Sequence, residues 1–244
     1  MFDTIILLTG MAERDTLAAL LRAQNPALTV LTPQTKAELL ALPQAMLARA
    51  RIIGFLTPIV VPANVLAALG YGAYNFHPGP PSYPGWLPSH FAVYDRAPFF
   101  GATAHVMAAE VDAGPIVGVE VFGVPPGAGV EDLDKLAFVQ CARLIWRLAP
   151  ALARDSAPLP ELRVQWSGRR STKAMVRVAC DIPADIGKDE LERRLAAFGD
   201  GHFGNVPTVT LHGHAFRYVP PAAIPSTDEA PPLVPEAQAD KQVA

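Results

Sequence analysis

The feature that most constrains this chain is the rhythm of its first half, where short apolar runs alternate with segments whose apolar residues recur at helical spacing. Residues 4–9, 28–31 and 51–56 read as continuous buried strands. Residues 13–24 place Leu17, Leu20 and Leu21 on one face of a helix, and 36–49 read as a second helix. Near-continuous apolar strands joined by crossover helices are the pattern of a parallel sheet covered on both faces. The expected class is α/β, a mostly parallel sheet flanked by helices.

The pattern continues with a short helix that Pro62 opens and Gly70 and Gly72 close, then a strand over 73–76 that ends at His77. Residues 79–85 read as a loop and 88–95 as a helix. Strands at 102–108 and 115–122 flank a connection, 109–114, that contains Glu110 and Asp112; a long helix follows over 130–152. The proline-rich stretch 157–160 reads as a linker between a main domain, 1–156, and a small α+β subdomain, 161–219. That subdomain is expected to hold a strand at 175–178, a helix at 188–198 and a hairpin turning at 212–214. Residues 220–244, rich in Pro, Ala, Glu, Asp and Gln, are expected to be a disordered tail.

Composition narrows the function classes. Half of the 244 residues are apolar, enough to build a core, while the net charge of −3 and the absence of a basic stripe disfavour nucleic acid as a partner. Apolar runs such as 5–8 and 58–61 fall far short of the roughly 20 residues that cross a bilayer, so no membrane span is expected. The chain enters its first strand from Met-Phe-Asp-Thr with no basic n-region, which points to the cytoplasm. Cys141 and Cys180 lie far apart and read as core thiols of a reducing compartment. His202, His212 and His214 lack a matching carboxylate or cysteine cluster, so no metal is expected. A homo-oligomer is compatible with this reading.

Asn75 and His77, two apart in an extended strand, project to the same side, and Pro78 keeps His77 out of helical geometry. They stand at the carboxyl end of a strand, where open parallel sheets bind their ligands. A carboxamide able to donate to a developing oxyanion beside an imidazole able to pass a proton suits acyl or formyl transfer. Asp112, in a turn 35 residues on, is placed to orient or charge the imidazole. Taken singly, an Asn at a strand end is more often a turn former and a His before Pro a solvated group. His105, in an alternating strand, reads more readily as a packed core histidine than as a substrate contact, and Trp86 equally as an aromatic platform or a lid on the core.

The segments Asn75-Phe-His-Pro-Gly-Pro-Pro-Ser-Tyr-Pro-Gly85, Gly101-Ala-Thr-Ala-His105 and Glu110-Val-Asp-Ala-Gly-Pro-Ile116 resemble the 10-formyltetrahydrofolate-dependent formyltransferase family. That family includes glycinamide ribonucleotide, methionyl-tRNA and sugar N-formyltransferases and formyltetrahydrofolate deformylase. The resemblance covers roughly residues 1–155 and is strongest over 55–117. It implies a Rossmann-like formyltransferase fold, 10-formyltetrahydrofolate as donor, and Asn75, His77 and Asp112 as the catalytic residues. In the mechanism it implies, an amine attacks the formyl carbon, Asn75 and protonated His77 stabilise the oxyanion, and Asp112 supports His77 and relays the amine's proton. It also implies a pterin pocket lined by Thr57, Ile59, Val60 and Val61 and by Ala109, Glu110 and Val111. Ordinary sheet core is an equal alternative for Ile59, Val60 and Val61.

The departures from that family bear on the acceptor. The C-terminal unit is short and the chain acidic, against a tRNA acceptor, and Gly10-Met-Ala-Glu-Arg14 offers no glycine-rich phosphate loop, against a glycinamide ribonucleotide. The region before Asn75 is short, as if one strand and helix were reduced. Gly79 stands where relatives commonly carry Ser, and the His-Pro-Gly-Pro run looks like the formyltransferase-like domain of the hydrogenase maturation protein HypX. Tyr94-Asp-Arg96 with 101–105 looks like the deformylase, whose ACT domain is absent here, whereas 175–218 is similar to the small C-terminal unit of several formyltransferases. The expected activity is formyl transfer to a small amine, a nucleotide-linked amino sugar being the acceptor considered first. The alternatives are hydrolysis that releases formate, or a noncatalytic folate-binding or assembly protein, which would not need an oriented His and Asp together.

Overall fold

A computed structural model of the chain describes residues 1–201 and 204–220. Its central sheet is built from β1 (Thr4–Leu8), β2 (Thr29–Leu31), β3 (Ala50–Phe55), β4 (Ala73–His77), β5 (Phe99–Val106) and β6 (Ile116–Gly123), in the order β2-β1-β3-β4-β5-β6. The first four strands pair in parallel, and β5 alone runs against both its neighbours. The crossovers are α1 (Met11–Gln24), α2 (Lys36–Leu40), α3 (Gln44–Leu47) and α4 (Ala63–Ala68); α5 (Pro88–Tyr94) precedes β5, and α6 (Val130–Arg154) follows β6.

Strand parity sorts the core into two layers. Ile5, Leu7, Ile53, Phe55, Tyr74, Phe76, Ala102 and Ala104 face α1 and α6, meeting Leu17 and Leu21 of the one and Cys141, Leu144, Ile145 and Leu152 of the other. Ile6, Leu8, Ala50, Ile52 and Ala73 face the opposite way, onto Leu39, Leu47 and Val65 of α2, α3 and α4. Past Ala73 this second face changes character, because it continues as Asn75 and His77 on β4 and as Thr103 and His105 on β5. The apolar cover ends where the polar side chains begin.

Helix α6 is long and apolar enough by composition alone to cross a bilayer, but its apolar stripe lies on the sheet. Arg51, wholly buried, ties the helix down: its guanidinium donates to the carbonyls of Leu152 at 2.6 Å, Tyr71 at 3.0 Å and Ala157 at 3.0 Å. Cationic groups are stabilising at a helix C-terminus, where carbonyls lack intrahelical partners. In the proline-rich stretch the Leu159 amide donates to the Tyr74 hydroxyl, so this segment lies against the sheet.

Two sequence expectations are corrected. The single helix over 36–49 is two short ones, because Pro43 has no N–H to give and stands instead as the N-cap of α3. The strand expected at 175–178 is part of α7 (Lys173–Cys180), in which the Thr172 side chain caps the Met175 amide and Val176 and Cys180, four apart, face inward. Valines at 176 and 178 suggested a strand, and the i,i+4 burial overrode their β preference. β7 (Asp181–Ile182), α8 (Lys188–Phe198), β8 (Thr208–Leu211) and β9 (His214–Arg217) complete the described chain, the strands forming a separate sheet β7-β8-β9. Val176, Cys180, Ala197 and Phe198 share a core with Leu87 and Phe91 of the α5 region. His202 and the expected tail from residue 221 on lie outside the described residues.

Candidate active site

The polar end of β4 and β5 is set by strand register. Gly54 on β3, Asn75 on β4 and His105 on β5 are direct cross-strand partners, and His77 pairs with Thr103. Side chains directly opposite on one face are close neighbours, so the register itself brings Asn75 against His105. The Asn75 carboxamide lies 3.1 Å from His105 Nε2. Gly54 makes room for it, since a Cβ there would stand 3.0 Å from Asn75 Oδ1.

Asp112 reaches this row from the loop between β5 and β6, where its backbone adopts a left-handed φ of 48°. Its carboxylate serves two imidazoles. Oδ1 lies 3.2 Å from His105 Nε2, Oδ2 lies 3.3 Å from His77 Nδ1, and the Gly85 amide donates to Oδ2 at 2.9 Å. The far nitrogens are also occupied: His77 Nε2 donates to the Tyr83 carbonyl at 2.9 Å and His105 Nδ1 to the Val106 carbonyl at 2.9 Å. Both nitrogens of His77 thus face acceptors, and the ring takes a second proton without losing a partner. The Trp166 ring stands edge-on to both imidazoles.

All three titratable side chains are at most 5% exposed. Burial pushes His77 down, and the Asp112 charge and the Tyr83 carbonyl only partly restore it, so its pKa lies below the usual histidine value. For Asp112 burial pushes upward, but the hydrogen bond from His105, the charges of His77 and His105 and the Gly85 amide outweigh it, and the carboxyl stays below its ordinary value. The result is an ionised carboxylate held between two buried imidazoles, a unit that can hold a proton and pass it on.

Two clefts meet over this unit. One, of about 80 Å3, is lined by Thr57, Ile59, Val60, Val61, Glu110 and Val111 together with Asn75, His105 and Asp112. The other, of about 390 Å3, is lined by His77, Trp86, Leu87 and His90 and again by Asn75 and Asp112. His105 faces the first, His77 the second, and Asn75 and Asp112 both.

Six of the seven residues expected around a pterin therefore line one cleft, while Ala109 is not among its lining residues. Ile59, Val60 and Val61 sit beyond the end of β3, in irregular backbone rather than in the sheet; Val61 belongs to the core layer that faces α2, α3 and α4, and Val60 is exposed. Trp86 lines the second cleft with the Lys173 ammonium 5.5 Å over its ring. His212 and His214 lie exposed on the β8–β9 hairpin and line neither cleft. Cys141 and Cys180 are buried thiols, and burial pushes both pKa values up. His105 is the member that sequence reasoning undervalued. Its alternating strand was readable, but its pairing with Asn75 follows from the antiparallel register of β4 and β5, which no local pattern carries.

No protein-family model matches this sequence, and no curated protein matches it. Solved structures do. A sugar N-formyltransferase from Shewanella sp FDAARGOS_354 superposes with a TM-score of 0.69 at 15% identity, covering 89% of this chain and 96% of that one. A 4-N formyltransferase from Francisella tularensis gives 0.66 at 17% identity, over 88% and 96% of the two chains. An N-formyltransferase from Helicobacter canadensis gives 0.60 at 10% identity, over 87% and 85%. At these identities the likeness is one of fold. The chain has the formyltransferase fold, with the small C-terminal unit included in the superposed length.

Proposed function

We propose that this protein transfers a formyl group from 10-formyltetrahydrofolate to the amine of a small acceptor, a nucleotide-linked amino sugar. The observation that carries this reading is the meeting of two clefts at Asn75 and Asp112. A hydrolase needs one ligand cleft and access for water; a group transfer needs two ligands brought to one point. The Helicobacter canadensis enzyme of the same fold was solved with folinic acid and dTDP-3-aminofucose, a folate and a nucleotide-linked amino sugar, which supports this choice of ligands.

The smaller cleft suits the folate. Ile59, Val60, Val61, Leu66 and Met107 supply apolar walls, and Thr57, Asn75, His105, Glu110 and Asp112 supply the few polar groups that fix orientation, the usual make-up of a small-molecule pocket. When bound, the folate supplies the formyl group. Asn75 donates from its carboxamide to the negative charge that develops on the formyl oxygen, a contribution that grows toward the transition state. His77, on the acceptor side, carries positive charge next to that oxygen when protonated, and Asp112 makes room for this proton by balancing it. Asp112, shared by both imidazoles, also accepts the proton that the attacking amine sheds, directly or through water, and passes it to the folate nitrogen as the bond from that nitrogen to the formyl carbon breaks. His105 holds Asn75 and Asp112 in one row.

Incubating the protein with 10-formyltetrahydrofolate, alone and with a panel of nucleotide-linked amino sugars, tests the reading by following tetrahydrofolate and formate. Acceptor-dependent tetrahydrofolate release is expected. Formate release at the same rate without any amine would favour hydrolysis, and folate binding without turnover would favour a binding protein.

A further inference from the structure

We infer that segment 166–171 is a clasp that positions Asp112, and through it His77, with Trp166 and Arg170 as its positioning residues. For its effect on turnover, though not for its effect on geometry, the inference rests on the formyl-transfer reading above.

The two loops that complete the active centre have little structure of their own. The connection between β5 and β6, which carries Asp112, is irregular, and Asp112 sits there in a left-handed conformation, which Asp tolerates better than most non-glycine residues. The loop after His77, which supplies the Tyr83 carbonyl and the Gly85 amide, is irregular, with one short turn and a single bridge from Gly85 to Ser171. Segment 166–171 binds both. Toward the Asp112 loop, the Trp166 indole N–H donates to the Gly114 carbonyl at 2.9 Å, and Arg170 donates to the Val111 carbonyl at 2.9 Å and to the Glu110 carboxylate at 2.6 Å. Asp112 thus has a clasped residue on either side of it.

Toward the other loop, the Ser167 amide donates to the Pro81 carbonyl and its hydroxyl to Ser82, at 2.9 and 3.0 Å. The Ser171 amide donates to Pro84 at 2.9 Å, and the Trp86 amide donates back to Ser171 at 3.1 Å. Gly85 is the seam. Its N–H holds Asp112 Oδ2, and a Cβ on it would stand 2.3 Å from the Ser171 carbonyl oxygen. The clasp follows the proline-rich stretch in sequence, outside the part of the chain that carries Asn75, His77 and Asp112, yet it brings together the loops that serve them.

His77 reports the clasp without any substrate. Its ring faces Asp112 from the β5–β6 loop, His105 from β5, the Tyr83 carbonyl and the Trp166 ring, and it shares its cleft with His90 of α5 and Asp134 of α6. The Asp112 charge raises the His77 pKa against the burial that lowers it. Loosening Asp112 therefore lets His77 titrate at lower pH.

The test uses the full chain labelled with 15N-histidine, with ring signals assigned by their loss in His77→Gln and His105→Gln, in the wild type and in Arg170→Met, Arg170→Lys and Trp166→Phe. Arg170→Met and Trp166→Phe are expected to move the His77 titration downward, with Arg170→Lys in between. They are also expected to lower kcat on the order of 10²-fold while leaving the acceptor KM in place, the effect of a displacement near 1 Å. Arg170 contacts the loop at the surface, so Arg170→Met is expected to fold as the wild type does and to carry the test by itself if Trp166→Phe does not. Folded variants in which His77 titrates as in the wild type would overturn the clasp, whatever their melting temperature. A shifted His77 titration in a protein that transfers no formyl group would uphold the clasp and remove the formyl-transfer reading alone.

Discussion

Replacing Gly79 with alanine adds one methyl group where the loop after His77 folds back on the ring. A Cβ on residue 79 would lie 2.6 Å from His77 Nε2, 2.8 Å from Pro88 Cβ and 3.0 Å from the Tyr83 carbonyl oxygen. Ordinary contacts begin near 3.5 Å, so either the ring or the loop must retreat by roughly 1 Å. The His77 bond to Tyr83 at 2.9 Å does not survive that displacement, and the contact with Asp112 at 3.3 Å is disturbed with it. Overpacking a tight site costs about 1–3 kcal/mol, and leaving a buried polar group unpaired costs about 1–3 kcal/mol more. The sum, about 2–6 kcal/mol, corresponds to a fall in Tm on the order of 5–20 °C for a chain of this size. A catalytic group misplaced by 1 Å loses on the order of 10²-fold in rate. Thermal melting beside the tetrahydrofolate-release assay measures both. A Gly79→Ala protein that melts and turns over as the wild type would refute the packing argument.

Asp112→Asn keeps the shape of the side chain and its bond to Gly85 but removes the charge shared by His77 and His105. Turnover should fall about 10²- to 10⁴-fold, with a far smaller change in melting, and near-normal turnover would exclude Asp112 from proton handling. Because burial holds His77 below its usual 6.5, the unfolded chain takes up a proton that the folded chain resists; the stability from neutral His77 is present above pH 6.5 and is lost as pH falls below it. Asp112, held below 3.8, contributes stability above pH 3.8 that is lost only at lower pH. Tm should therefore drop between about pH 7.5 and 5.5, by less in His77→Gln than in the wild type, and equal drops would contradict the assignment. Arg51→Met leaves the carbonyls of Tyr71, Leu152 and Ala157 without their buried donor. Denaturant unfolding should register a loss of about 3–5 kcal/mol, with KM unchanged in the folded fraction; a loss under about 1 kcal/mol would show that water replaces the guanidinium.

The candidate site was legible wherever the signal is local. Asn75 and His77 share a face because strand periodicity is two, and Pro78 marks the strand end, both readable from adjacent letters. The strands up to β4 were legible because both faces of the sheet are covered, which makes their sequences continuously apolar. The helix α7 was missed because its two valines argue for a strand locally, while the inward pair Val176 and Cys180 gains its meaning from Phe198 and Leu87, distant in sequence.

The sequence by itself determined the α/β class, the strand-end placement of Asn75 and His77, and the chemistry those groups permit, because each follows from spacing along a few residues. Only the tertiary structure decided that His105 stands beside Asn75, that one carboxylate serves two imidazoles, that two clefts meet over it, and that Trp166 and Arg170 reach back to hold its loop. Each of these depends on strand register or on a contact between loops separated by tens of residues. Such contacts arise when the whole sheet closes and leave no periodic trace in the chain.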